Sequence, residues 1–328
     1  MGDIAAALNK AKEVIADAPT VVLACHVDPD GDALGSMMAM HHLCRSQSRP
    51  SIASWSEPFI VAPHYTFLPG LDSCTKPADV PAQPDVMVTF DCGSFDRLGQ
   101  LAPAARHAAE CGELIVIDHH RTNDHYGTIN VIDPDAAASA VLVRRLAACL
   151  GWGLTRDAAL CLYTGVVTDT GRFQYENTTP DVFTLARELA EFDLPIAAIT
   201  RQLFEEHRFA YLQLVSECMA RAQLDCDLGF VATWVTAADL ARHGVAIEET
   251  EGLIDIVRRT AEAQVSCVLK ETGAGIRVSL RAVGGVDVGA IAGTFGGGGH
   301  RYAAGFTAPG TVSDVLGRVR GALASRGP

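Results

Sequence analysis

With 328 residues, 48% of them apolar and 20% charged, the chain is long enough for two domains with separate cores and too apolar to be disordered. Its net charge of −13 sits wholly in residues 1–220, where 15 Lys and Arg face 28 Asp and Glu; residues 221–328 balance at 11 of each sign. Such acidity excludes a protein that grips long nucleic-acid duplexes by neutralising their backbone, while a small phosphorylated ligand at a local site remains compatible.

The first predicted element is a helix over 1–18, with Ile4, Leu8, Ala11, Val14 and Ile15 on one face. It lacks the layout of a signal peptide, and no apolar run approaches the ~18 residues of a membrane span. The ten cysteines form no CxxC pair, and Cys25, Cys92, Cys161 and Cys267 lie inside apolar runs, where reduced thiols act as small hydrophobes. A soluble cytoplasmic protein is expected.

A strand over 20–25 feeds His26, and a loop with Asp30 and Asp32 leads to a helix ending near residue 43. Pro29-Asp30-Gly31 alone would be only a turn. An EF-hand starting at Asp28 fails, because its sixth and twelfth positions are Ala33 and Ala39. Imidazole and carboxylates concentrated at a strand exit suit a transition metal such as manganese better than calcium.

An apolar stretch at 51–55 and a Pro-rich loop over 58–84 precede a strand at 86–90, which runs into Asp91. Arg97 is read as pairing with a surface carboxylate or supporting Asp91 from behind. The apolar run 114–117 then ends in Asp118-His119-His120. Adjacent histidines in a strand face opposite ways, so the reading divides them. His119 is a metal ligand, and His120 a substrate-facing acid or hydrogen-bond donor. Asp118 orients a histidine; Arg121, Asn123 and His125 are loop residues.

Helices follow at 136–150, 156–167 and 180–190, with Asp169 at a helix end where a carboxylate has the wrong sign for the macrodipole. A helical connector leads to strands at 222–224, 230–235, 264–269 and 276–280, interrupted by helices at 237–243 and 250–257. The expected division is a catalytic domain over 1–190, a linker over 191–220 and a second α/β domain over 221–328. In the second domain, Gly296-Gly297-Gly298-Gly299-His300-Arg301 reads as a loop whose backbone N–H groups cradle an anion. Arg281, at a strand end, is a second phosphate contact.

Ligand sites of open α/β sheets lie beyond the carboxyl ends of the strands. Three strands ending in ligand-type residues therefore predict one shared site of His26, Asp30, Asp32, Asp91, His119 and Asp169. One grouping assigns His26, Asp30 and Asp91 to a first ion, and Asp32, Asp91, His119 and Asp169 to a second, bridged by Asp91. Two ions ~3.5–4 Å apart activate water as hydroxide and clamp an in-line displacement at phosphorus, with His120 as acid or charge stabiliser.

The set His26-x-x-Pro29-Asp30-x-Asp32-x-x-Gly35-Ser36, Asp91, Asp118-His119-His120, Asp169-Thr170-Gly171 and Gly297-Gly298-Gly299-His300-x-x-Ala303-Ala304-Gly305 resembles the DHH/DHHA1 phosphoesterases, and within them the NrnA type. The resemblance implies a parallel-sheet DHH domain and a smaller mixed α/β DHHA1 domain, joined by a helical linker. It implies two Mn2+ ions (with Mg2+ or Co2+ as substitutes) and roles for Gly297, Gly298, Gly299, His300, Arg301 and Arg281 in holding substrate. Short RNA oligonucleotides (nanoRNA), 3′-phosphoadenosine 5′-phosphate (pAp), pApA and cyclic-di-AMP are the implied substrates, and a homodimer the implied assembly. The alternatives are a non-catalytic nucleotide sensor, a structural metal-binding protein that leaves the glycine run unexplained, and a manganese-dependent pyrophosphatase. The glycine–histidine run disfavours the last.

Overall fold

The computed structural model describes residues 2–325, with the side chains of Gly2, Asp3 and His300 outside the description. The chain divides into two compact units, residues 1–203 and 204–328.

The first unit contains α1 (Gly2–Asp17), β1 (Val21–Cys25), α2 (Gly31–Ser46), β2 (Ser51–Ser54), β3 (Val86–Phe90), α3 (Ala102–Cys111), β4 (Glu113–Asp118), β5 (Ile129–Ile132), α4 (Ser139–Leu150), α5 (Arg156–Asp169), α6 (Pro180–Ala190) and α7 (Ile196–Phe204), whose last residue opens the second unit. Every residue of β1 and β3 is buried, as continuous apolar runs covered on both faces should be. The sheet order is β2-β1-β3-β4-β5 and every pairing is parallel. One face packs Val22, Ala24, Met87, Leu114 and Val116 against the alanines of α3. Neither α3 nor β5 is among the elements predicted from the sequence. Helix α3 is only ten residues long and half alanine, and β5 is only four residues long.

Helix α2 is buried along most of its length because α5 lies directly on it. A side chain at Gly35 would come within 2.5 Å of the Cys161 carbonyl oxygen. Glycine therefore sets how closely these two helices approach.

The second unit contains α8 (Phe209–Ala220), β6 (Gln223–Asp225), β7 (Phe230–Val235), α9 (Ala237–His243), α10 (Leu253–Val257), β8 (Val265–Thr272), β9 (Gly275–Ala282), α11 (Val288–Gly293), β10 (Gly298–His300), β11 (Ala303–Ala308) and α12 (Val312–Ala324). Its sheet runs β10-β11-β9-β8-β7-β6, antiparallel except for the parallel β7–β8 pair. In β9, Ile276, Val278, Leu280 and Ala282 enter the core with α11 and α12. The alternate residues Arg277, Ser279 and Arg281 take the opposite face. Val231, Val235 and Val268 pack with α8 and α10 in a second core. The architecture is thus mixed α/β in both units, as the patterning predicts.

Candidate metal centre

The order 2-1-3-4-5 reverses direction between β1 and β3, which makes their carboxyl ends the topological switch point. His26 follows β1 and Asp91 follows β3, one on each side of that crevice. Two side chains of α2 join them. Asp30 is its N-cap, accepting from the backbone N–H groups of Asp32 (3.1 Å) and Ala33 (3.0 Å) through Oδ1, while Oδ2 lies 3.8 Å from His26 Nε2. Asp32, one residue into the helix, is fully buried. Its Oδ1 accepts from Ser36 Oγ (3.1 Å) and Ala140 N (3.0 Å), and its Oδ2 from Ser139 N. The residue before α4 is Ala138, which has no capping side chain, so Asp32 caps α4 from a different helix.

Asp91 lies at the centre. Its Oδ2 is 3.6 Å from His26 Nε2, and its Oδ1 is 3.4 Å from His119 Nε2 and 3.5 Å from His120 Nδ1. Ser139 Oγ donates to Oδ1 at 3.1 Å. A carbonyl only accepts, so the contact of His119 Nδ1 with Ala136 O (3.1 Å) assigns the proton to Nδ1. His119 Nε2 then points at Asp169 Oδ2, 3.0 Å away at the end of α5, and at Asp32 Oδ2, 3.8 Å away. Asp118 receives the backbone N–H of His119 (2.8 Å) and of His120 (3.2 Å), and His120 Nδ1 at 2.7 Å, all on Oδ1.

The structure therefore brings together all six predicted donors. Among the described residues, ligand atoms lie within 4.8 Å of one another in three sets: His26, Asp30 and Asp91; Asp32, His119 and Asp169; and Asp91, His119 and His120. The last set corrects the expectation that the adjacent histidines face apart. Strand β4 stops at Asp118, so strand alternation no longer governs them, and their ring centroids stand 5.1 Å apart beside Asp91. Arg97 also differs from expectation: its Nη2 lies 3.0 Å from His26 Nδ1.

Burial and like charge dominate the electrostatics. Burial first, then the charges of Asp91 and Asp169, hold the Asp32 carboxyl well above its ordinary value. Burial also raises Asp169, against the hydrogen bond from His119. Burial pushes Asp91 upward too, but His120, His119 and His26 outweigh it and keep the carboxyl well below its ordinary range. Burial would lower both imidazoles, yet their carboxylate partners raise His119 and His120. Like charge among Asp32, Asp91 and Asp169 is thus gathered in one buried place, with the imidazoles of His119 and His120 against it. The donors are oxygen and imidazole nitrogen without thiolate, a set that fits a hard to borderline divalent cation.

In the second unit the glycine run is not an open loop. Gly298, Gly299 and His300 form the edge strand β10, paired with Gly305, Ala304 and Ala303 of β11. Gly299 has φ 136°, and a side chain there would come within 2.5 Å of the Ala303 carbonyl oxygen. Gly297 faces the Gly305 carbonyl just as closely. These glycines permit close strand approach, and a periodicity reading cannot distinguish that from a phosphate cradle. The His300 side chain lies outside the described residues. Arg301 is exposed, its guanidinium 5.4 Å from the Tyr302 ring centroid. Arg281 is half-buried, with Nε 4.0 Å from Asp255 Oδ1.

Sequence reasoning missed Ser139 and read Asn123 only as a loop residue; both hydrogen-bond aspartates of the centre, as does Ser36 of the first motif. Ser139 had one local signal, its place at a helix start; Asn123 had none.

Carboxylates and imidazoles gathered at the switch point of an open parallel sheet define the class: an α/β domain whose strand ends bring together groups able to hold a divalent cation. Residues 20–166 match the DHH family, N-terminal domain, and residues 230–324 match the DHHA1 domain. The chain is 31% identical over 294 residues to the bifunctional oligoribonuclease and PAP phosphatase NrnA of Thermus thermophilus, covering 90% of this chain and 86% of that protein. An exopolyphosphatase-related protein from Bacteroides fragilis has the same fold, with TM-score 0.88 at 24% identity over 98% of this chain and 96% of the other. Exonuclease RecJ bound to manganese has TM-score 0.52 at 12% identity, covering 99% and 95%. This chain belongs to the DHH/DHHA1 family, and within it to the NrnA type.

Proposed function

We propose that the protein is a manganese-dependent phosphoesterase that hydrolyses short oligoribonucleotides and pAp, with pApA and cyclic-di-AMP as further substrates. The observation that carries this reading is the position of Asp91, within 3.6 Å of both His26 and His119, where one carboxylate serves two donor sets. The relative from Thermus thermophilus is named for both activities, and the fold neighbour RecJ was solved with manganese.

His26, Asp30 and Asp91 hold one ion; Asp32, Asp91, His119 and Asp169 hold the other. Bound divalent cations supply positive charge to the phosphoryl oxygens and lower the pKa of water toward ~7. His119, with its Nδ1 proton held by Ala136 O, would present Nε2 as a ligand atom, while His120 keeps its proton. Asp118 keeps His120 directed, and His120 donates a proton to the departing oxygen. Gly297, Gly298, Gly299, His300, Arg301 and Arg281 take the remainder of the nucleotide, so that binding energy remote from the cut contributes to turnover. The catalytic domain spans 1–190, the linker 191–220 and the substrate-binding domain 221–328. A homodimer in the cytoplasm is the proposed setting.

The test is release of AMP from pAp, and of mononucleotides from di- to pentaribonucleotides, with and without Mn2+. Turnover that needs the ion supports the proposal; none of these substrates consumed in Mn2+ would sink it. A nucleotide sensor on the same fold would instead bind pAp without consuming it.

A further inference from the structure

We propose that Asn123 is a positioning residue for turnover, fixing the carboxylate that aims His120. The inference rests on the reading of His120 as proton donor. Asn123 is buried, and its side-chain amide bridges two strand exits. Nδ2 donates to Asp118 Oδ2 and, at 3.2 Å, to the carbonyl oxygen of Cys92, the residue after Asp91. Oδ1 accepts the backbone N–H of His125 at 2.7 Å. Asp118 is thus gripped on both oxygens, Oδ2 by Asn123 and Oδ1 by the backbone and ring of the histidines. A carboxylate held on one side only would rotate about χ2, and the His120 ring would rotate with it.

The competing explanation is that Asn123 merely ties down the loop after His120. Tyr126 offers the control, because its hydroxyl donates to the same Cys92 carbonyl at 2.9 Å without touching Asp118. A loop tie predicts equal effects from both residues; a positioning role predicts an effect from Asn123 alone.

The experiment measures Mn2+-loaded protein on two substrates: pAp, whose ribose oxygen needs a proton to leave, and the 4-nitrophenyl ester of thymidine 5′-phosphate, whose aryl oxygen departs without one. Asn123→Ala is expected to lower kcat on pAp by about 10–100-fold, the range for residues behind a functional group. KM and the Mn2+ concentration for half-maximal activity stay unchanged, and the aryl ester is turned over nearly as before. Asn123→Ser removes the reach to Asp118 Oδ2 without adding a charge, and reproduces the selective loss if the Ala variant is poorly folded. The double variant with His120→Gln loses no more than His120→Gln alone, because both act at one proton transfer. Equal losses on the two substrates, additive losses in the double variant, or the same loss from Tyr126→Phe would each overturn the proposal. Should His120→Gln itself show no preference between the substrates, the proton-donor reading fails, and that result is distinct from a failure of Asn123 alone.

Discussion

Asp91 adopts a left-handed backbone, φ 53°, a conformation that costs a non-glycine residue roughly 1–2 kcal/mol. Aspartate tolerates it better than most side chains, and the surroundings hold it there: its N–H bonds to Ile117 O at 3.0 Å, and its carboxylate meets three imidazoles and Ser139. The strain lets the strand exit turn the carboxylate back into the crevice. Two outcomes follow from the same residue. Asp91→Ala lowers turnover of pAp at least a thousandfold, by analogy with loss of other principal catalytic groups, and retained activity would refute the shared-ligand reading. Asp91→Gly is equally inactive but unfolds later than Asp91→Ala, by about 1 kcal/mol in urea, since glycine accepts φ 53° without penalty.

At the level of elements, the contact of α2 with α5 sets the distance between Asp32 and Asp169. A methyl group at Gly35 would meet the Cys161 carbonyl oxygen at 2.5 Å and Gly165 N at 3.0 Å, backbone atoms that yield only if the helices separate. Gly35→Ala is expected to destabilise the protein by about 1–3 kcal/mol in urea unfolding. Gly165→Ala meets Asp32 Oδ1 at 2.6 Å, so it displaces a donor directly and costs more activity than stability. Helix α2 also carries a pH-sensitive residue away from the centre. Burial first, then the charges of His42 and Arg45, push His41 down to about 4. Between that value and the ordinary 6.5 the unfolded chain binds the proton and the folded chain does not. Stability is therefore complete above pH 6.5 and is lost as pH falls toward 4, on the order of 1–2 kcal/mol by pH 5. His41→Gln removes that component; an unchanged acid slope in the variant would show that His41 does not cause it.

For the whole molecule, the unmatched acidity belongs to residues 1–220, and its buried part converges on the centre. A cation there would relieve the like-charge repulsion among Asp32, Asp91 and Asp169. Mn2+ at a hundred times its Kd should stabilise the folded state by ~2.7 kcal/mol, raising the thermal midpoint of the first unit by about 5–10 °C. EDTA should reverse the shift. A midpoint that ignores both reagents would count against any metal at this centre.

Much of this was legible in the chain itself. Unbroken apolar runs announced buried parallel strands, and a carboxylate or imidazole at each run's end announced a site, because both signals are local in sequence. Asp30 and Asp32 could be read in the same way, from their place between a strand and a helix. Other features depend on residues that meet only after folding. Ser139 reaches Asp32 across 107 positions, and Asn123 reaches the Cys92 carbonyl across 31. Nothing in the spacing of either residue announces the bond. The two histidines turn to the same carboxylate because β4 stops one residue before them, a boundary that periodicity does not resolve. The glycine run became an edge strand because β11 returns beside it. Residue type and local pattern determined which groups would serve the site; the order of strands and the backbone path beyond their ends decided which groups share it and what holds them in place.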